Sequence, residues 1–369
     1  MNVVELTRRL VAFDTVNPPG NEAPAMDFCA DLLRSAGFDC REIAQGPNRS
    51  NLLATKGLDS KLPALGFTGH LDTVPLGAAP WSQPPHGAEV TGDKLYGRGT
   101  TDMKGGVAAF IRAAIDTPVP PGGVALLITA GEETGSDGAR EMVQAGDLPA
   151  IGALIVAEPT LNRVTQGHKG ALWLRLLTRG ITAHGSMPDK GVNAILKMAK
   201  AIQALEDFVP GESHEVMGKP TLNIGTISGG LNTNSVPDLC EVTLDMRSVP
   251  GVEHGPLRAA LADRLGPDVE IETIIDLPSV WTDPADPWLM SLSQHAGRIA
   301  GAEAGPASAP YFTDASIFTP ALGGIPTVIL GPGDPALAHQ TDEYISLDRL
   351  AQSEEIYCEA LKDWNRTEQ

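Results

Sequence analysis

The sequence predicts an α/β protein, a mixed sheet flanked by helices, interrupted by a smaller α+β domain. Three observations carry that prediction. Short apolar runs alternate with helical stretches over the first 167 residues. From 168 to 277 the order becomes β-α-β-β-α-β, the ferredoxin-like split pattern. After Pro278 helices and a buried strand return. The chain therefore divides as 1–167, 168–277 and 278–369, the outer pieces forming one domain and the middle piece another of ~100 residues. A chain of 369 residues is long enough for two domains.

In order, residues 2–13 and 21–36 read as helices, separated by the breaker Asn17-Pro18-Pro19-Gly20, with Gly37 placed to end the second. Residues 51–55, 63–68, 123–129 and 152–157 are apolar runs bounded by Gly, Pro or charge, as buried strands are. Helical stretches at 104–116 and 136–145 lie between them. In the middle domain, 170–178, 220–228, 238–247 and 268–276 read as strands. Residues 190–207 read as a helix with Val192, Ile195, Ala199 and Ile202 on its buried face, and 253–265 as a second helix. Residues 287–301 and 347–364 are helical, and 325–330 is a strand.

Lys and Arg total 27 against 46 Asp and Glu, a formal charge of −19. Such a surface repels a phosphate backbone and an anionic membrane, so no nucleic acid and no membrane is expected as partner. Cys29, Cys40, Cys240 and Cys358 form no C-x-x-C pair and read as reduced thiols. The N-terminal stretch holds Glu5, Arg8 and Arg9 among its apolar residues, so it reads as an amphipathic helix rather than a signal peptide. No apolar run nears the ~18 residues that span a bilayer. The expected location is cytoplasmic.

Short segments concentrate His, Asp and Glu at strand ends. In Gly69-His70-Leu71-Asp72, the two polar residues share a face, so the carboxylate can orient the imidazole. Taken alone, this pair reads as a structural histidine. Gly97-Arg98-Gly99 resembles the start of a phosphate loop, but Asp102 stands where the third glycine belongs. Asp102 alone reads as the N-cap of the following helix. Glu132 and Glu133 follow the run 123–129, and alone read as an exposed acidic turn. Glu158 ends the run 152–157, and His339 lies in a loop after 325–330. In parallel sheets such loops gather at the strands' carboxyl ends. Together His70, Asp102, Glu133, Glu158 and His339 form a nitrogen and oxygen donor set without cysteine, suited to catalytic divalent metal.

The motifs GHLDTVP, YGRGTTDMKGG, GEETGS, AEPT and AHQTDEY occur in this order along nearly the whole chain. With them the chain resembles the co-catalytic zinc amidohydrolases and metallopeptidases, among them acetylornithine deacetylase, succinyl-diaminopimelate desuccinylase and glutamate carboxypeptidase. The resemblance implies a phosphorylase/hydrolase-like catalytic domain with an inserted lid and dimerisation domain. It implies two divalent ions, zinc first, with Co²⁺ or Mn²⁺ as alternatives. His70, Asp102 and Glu158 would hold one ion; Asp102, Glu133 and His339 would hold the other, with Asp102 bridging. Asp72 would orient His70, and Glu132 would act as general base and then acid. A non-proline cis bond beside Asp102 is also implied. Gly180-Ile181-Thr182-Ala183-His184-Gly185-Ser186 resembles the lid motif, so His184 would stabilise the oxyanion in the partner subunit of a homodimer. Asn234 and Arg247 match lid residues that contact the substrate carboxylate, Arg247 as a fork.

The implied reaction is hydrolysis of an amide on an amino acid's nitrogen. Zinc lowers the pKa of bound water to about 7. Glu132 takes its proton, and later protonates the leaving amine. Desuccinylases of this family carry a Gly-Gly-Thr-Ser-Asp-x-Arg-like segment, whereas this chain has Ala309-Pro310-Tyr311-Phe312-Thr313-Asp314-Ala315-Ser316 without the arginine. That points to a small acyl group and to an N-acetylornithine deacetylase, an activity of arginine biosynthesis. The alternatives are a dipeptidase or carboxypeptidase, or an N-succinyl-diaminopimelate desuccinylase, with the same site. A non-catalytic scaffold protein would have lost its base, and Glu132 is present.

Overall fold

The computed structural model describes residues 1–364. The chain runs through α1 (Val3–Val11), α2 (Ala23–Ser35), β1 (Asp39–Ala44), β2 (Ser50–Lys56), β3 (Ala64–His70), β4 (Val90–Thr91) and β5 (Lys94–Tyr96). A turn at Thr100–Lys104 leads into α3 (Gly105–Asp116), then β6 (Val124–Thr129), α4 (Asp137–Gln144) and β7 (Ile151–Val156). Next come β8 (Gly167–His168), β9 (Gly170–Arg179), α5 (Ala194–Ala204), β10 (Thr221–Gly229), β11 (Leu239–Ser248), α6 (His254–Leu265), β12 (Val269–Leu277) and β13 (Val280–Trp281). The chain closes with α7 (Pro287–Ala300), α8 (Ala315–Ala321), β14 (Thr327–Ile329), β15 (Tyr344–Ser346) and α9 (Leu347–Asp363). Among the described residues, no helix is long and apolar enough to cross a membrane.

Two compact units form. One comprises Met1–Gly167, Trp281–Ala307 and the described residues from Thr313 to 364; the other comprises His168–Val280 and Ser308–Phe312. The short piece 308–312 lies well past Pro278, and nothing in its composition marks it. It joins the second unit because Lys169 N–H donates to the Ala309 carbonyl and the Phe312 ring packs edge-on against Trp173.

The first unit is built on a six-stranded sheet of order β1-β2-β6-β3-β7-β14. β6, β3, β7 and β14 run parallel, while β2 is antiparallel to β6 and β1 to β2. Every residue of β3 and β6 is buried, which is why both read as unbroken apolar runs rather than alternating ones. The parallel strands end together at His70, Thr129, Val156 and Ile329. That edge gathers the loops that follow. β1 escaped the sequence reading because only Ile43 of its six residues is buried. α8 escaped it because Pro320 sits inside its seven residues. α3 is packed close to the sheet. A Cβ on Gly106 would stand 2.2 Å from the Ala157 carbonyl oxygen, so only glycine lets the helix approach.

In the second unit the sheet order is β10-β11-β9-β12, with each pair antiparallel. With α5 and α6 between the strands this is the ferredoxin-like arrangement. Alternate residues Cys240, Val242, Leu244 and Met246 of β11 are buried, as expected for a sheet covered on one face. The expected buried face of the first helix is corrected. Ala194, Met198 and Ala201 are its buried residues, while Val192, Ile195 and Ala199 are exposed and Ile202 half-buried. Asn193 starts the helix by accepting the Leu196 N–H, and the small alanines let it lie close to the sheet. Two apolar stripes compete on this helix, and packing chose the narrower. His254 joins Ser248 and Asp276 at 2.7 Å each. Ser248 is 1% exposed, so this trio ties β11, α6 and β12 and offers no accessible nucleophile.

Candidate metal centre

Everything at the first unit's carboxyl edge begins with β3. Its last residue, His70, is 1% exposed, and its Nδ1 lies 2.9 Å from the Asp72 carbonyl oxygen. A carbonyl only accepts, so Nδ1 carries a proton, and Nε2 is the nitrogen aimed at the carboxylates. Nε2 faces Asp102 Oδ1 at 3.3 Å and Glu158 Oε1 at 3.6 Å. The Asp72 carboxylate stands farther off, 3.5 Å from Nδ1. Its closer work is on the next loop. It accepts the N–H groups of Glu132 and Glu133 at 3.2 Å each, and Asn17 Nδ2 at 3.0 Å. The nearer acceptor for His70 is thus the backbone of Asp72, and the side chain holds the Glu132–Glu133 loop.

Asp102 is no helix cap. It sits in the turn before α3, which starts at Gly105 with Lys104 at the cap position, and its bond to Met103 is cis. One carboxyl oxygen faces His70; the other faces His339 Nε2 at 3.3 Å. Glu133 Oε1 lies 3.2 Å from the same His339 nitrogen. Neither glutamate is an exposed turn residue, since Glu132 is 6% exposed and the Glu133 side chain 9%. His70, Asp102 and Glu133 bring one donor atom each within 4.8 Å of one another, and so do His70, Glu132 and Glu158.

This donor set has more negative charge than it can carry unaided. Burial pushes Glu132 well up from the ordinary carboxyl range; His70 opposes this, and Glu158 and Glu133 reinforce it. Burial likewise pushes Glu158 well up, helped by Asp102. Burial raises Glu133 as well. For Asp102 burial acts upward, but the His339 and His70 rings, each 3.3 Å away, overrule it and hold the carboxyl low. Hydrogen bonds to Asp102 and then Glu133 push His339 up to about 10. Protons therefore stand where cations would neutralise the cluster. Asp102 Oδ1 is buried and has no hydrogen-bond donor of proper geometry. The residues fit divalent ions, and one carboxylate with an oxygen toward each histidine fits a bridge.

Several residues that hold this arrangement were missed by motif reading. Asn17 reaches both Asp72 and Thr134 Oγ1, the latter at 3.1 Å. Asp314, 2% exposed and pushed up to about 6 by burial, accepts the Thr129 hydroxyl at the end of β6. Glu343, 0% exposed, accepts the amides of Gly99, Thr101 and Asp102 and pairs with Arg98. Arg98 and Glu343 both lie inside motifs already noted; for Arg98 a charge within a glycine-rich stretch was the available signal, whereas Glu343 stands among other polar residues.

The second unit carries His184, Asn234 and Arg247. His184 is exposed, with Nδ1 2.8 Å from Ser186 Oγ. It lies beside Asn234, because Gly185 N–H donates to the Asn234 carbonyl at 2.7 Å. Arg247 stands elsewhere in that sheet, on β11 opposite Ala171 and Thr221. Its Nε and one Nη donate to Asp245 at 2.8 and 3.0 Å, and its guanidinium lies 5.9 Å from the Trp173 and Phe312 rings.

Comparison with known proteins follows from this geometry. Residues 66–363 match the model of peptidase family M20/M25/M40. A succinyl-diaminopimelate desuccinylase of Ruegeria is 33% identical, over 98% of this chain and 94% of its own. An M20 family metallo-carboxypeptidase of Sulfolobus solfataricus superposes with a TM-score of 0.78 at 18% identity, covering 98% of this chain and 99% of its own. A dinuclear metal-binding M20 peptidase of Bacillus subtilis gives 0.71 at 15% identity, covering 97% and 96%. The chain belongs to peptidase family M20/M25/M40, and it is a metal-dependent hydrolase acting on amides.

Proposed function

We propose that this protein hydrolyses the amide joining an acyl group to the nitrogen of an amino acid, at a centre of two divalent ions. The observation that carries the reading is the pair of histidines on either side of one carboxylate, with Glu132 buried beside them. His70, Asp102 and Glu158 would hold one ion, and Asp102, Glu133 and His339 the other. Zinc suits this set best, with Co²⁺ and Mn²⁺ as alternatives. Ions held there supply a water of lowered pKa and polarise the amide carbonyl. Glu132 accepts the proton of that water and later delivers it to the departing amine. Burial raises its proton affinity, which suits a group that must both take and return a proton. Asp72 holds the backbone of Glu132 in place.

The middle domain, 168–277, serves as lid and dimerisation domain, and the outer pieces 1–167 and 278–369 as catalytic domain. His184 would stabilise the oxyanion in the partner subunit, and Asn234 and Arg247 would take the substrate carboxylate. Support for a homodimer comes from β10, an edge strand whose residues are mostly exposed, with Ile227 at 57% and the following Leu231 at 90%.

The acyl group has two readings. Absence of an arginine from 309–316 favours a small group, hence acetyl, with N-acetylornithine first. Similarity over the full chain to a succinyl-diaminopimelate desuccinylase favours succinyl, and with it lysine rather than arginine biosynthesis. Hydrolysis rates on N-acetylornithine, N-succinyl-diaminopimelate and several dipeptides separate these. The deacetylase reading expects the acetyl substrate to lead in kcat/KM. A dipeptide turned over far faster than either acyl substrate overturns the N-acyl reading.

A further inference from the structure

One buried ion pair has no part in the chemistry above. Arg98 Nη1 lies 2.6 Å from Glu343 Oε2, with side chains 1% and 0% exposed. Such a pair contributes little net stability compared with apolar side chains of the same volume. Its contacts show what it does. The Glu343 carboxylate accepts the N–H groups of Gly99 at 3.1 Å, Thr101 at 2.8 Å and Asp102 at 3.1 Å. It therefore fixes the turn that presents Asp102. Arg98 donates to the Gln340 carbonyl and to the Pro75 carbonyl at 3.2 Å each, and reaches the His339 carbonyl at 3.5 Å. The pair thus ties three loops together: the one after β3, the one with Asp102 and the one with His339.

The His339 loop needs an anchor. His339 has φ 64° and Asp342 φ 59°, left-handed values that residues with a Cβ adopt only where their surroundings hold them. Two of the carbonyls that Arg98 engages, those of His339 and Gln340, lie within that stretch. His70 differs, because it ends a strand fixed on both sides by its neighbours β6 and β7. Glu158 lies two residues past the end of β7, and the intervening Ala157 N–H donates to the Thr68 carbonyl.

We propose that Arg98 and Glu343 form a positioning pair for the metal centre, governing the ion that His339 helps hold more than the ion held by His70 and Glu158. The proposal rests on the two-ion reading above.

The test is titration of the metal-free full chain with Co²⁺, followed by calorimetry and visible absorption. The wild-type chain is expected to bind two ions. Arg98→Met is expected to bind its first ion within about threefold of wild type and its second about 10–100-fold more weakly, with an altered second-site spectrum. Arg98→Lys is expected to recover only part of this loss, because an ammonium cannot fork onto a carboxylate and two carbonyls at once. Glu343→Gln is expected to shift the second ion in the same direction, and carries the test if Arg98→Met does not fold. Thermal melting of each metal-free variant reports folding. Equal weakening of both ions, or no change in either, overturns the proposal. A wild-type chain that binds a single ion overturns the two-ion centre itself, and the proposal with it.

Discussion

At the scale of single residues, charge balance organises the centre. Asp102, Glu132, Glu133 and Glu158 crowd around two imidazoles, and without ions they hold extra protons. That has a measurable sign. Glu132 and Glu158 are raised above the ordinary carboxyl value in the folded chain, so their protonated forms favour folding and the benefit fades as pH rises. His339 is raised to about 10 from 6.5, so its contribution is complete below 6.5 and lost on the way to 10. His339 sets the window in which stability is lost, from 6.5 up to about 10, and the raised glutamates act in the same direction. We expect the melting midpoint of the ion-free chain to fall across that window relative to the ion-loaded chain; parallel curves would contradict it. Calorimetry in buffers of different ionisation enthalpy should show protons released on ion binding. Glu132→Gln keeps the shape and removes the base. Its kcat should drop by about 10²–10⁴ while ion stoichiometry stays the same. Unchanged turnover would remove Glu132 from its role.

At the scale of elements, close approach decides what a strand or helix can carry. The Gly105-Gly106 pair at the head of α3 allows the helix to lie against Ala157, next to Glu158. Gly106→Val forces a clash with the Ala157 carbonyl. It should cost about 1–3 kcal/mol in denaturant unfolding and loosen ion binding at His70 and Glu158. A variant as stable as wild type would mean the helix can shift freely. Periodicity found most elements to within a few residues, since buried parallel strands are unbroken apolar runs. It missed β1, whose surface is mostly polar, α8, which contains proline, and the two- and three-residue strands β4, β5, β8, β13 and β15, too short to show a period. It chose the wrong face of α5, because a helix with two apolar stripes offers no local reason to prefer one. The outer stripe stays on the surface, with Val192 37% and Ile195 36% exposed.

At the scale of the whole molecule, the chain leaves its first unit near residue 167 and returns near 281, with 308–312 again joining the second unit. The edge strand β10 and the exposed Ile227 and Leu231 support association through that unit. Sedimentation at micromolar concentration is expected to give a dimer, and Ile227→Glu a monomer with full ion content. A wild-type monomer would contradict the dimer. Local pattern alone was enough for the alternation of elements, the inserted split pattern and the cluster of His, Asp and Glu at strand ends, because burial and catalytic chemistry each restrict residue types locally. It took the folded chain to reveal that Asp72 holds the Glu132 loop, that Asp102 is not a helix cap, and that Arg98 and Glu343 join three loops. The contacts of Arg98 with Gln340 and Glu343 link residues more than two hundred positions apart in the chain, and no local pattern records which distant carbonyl a guanidinium will meet.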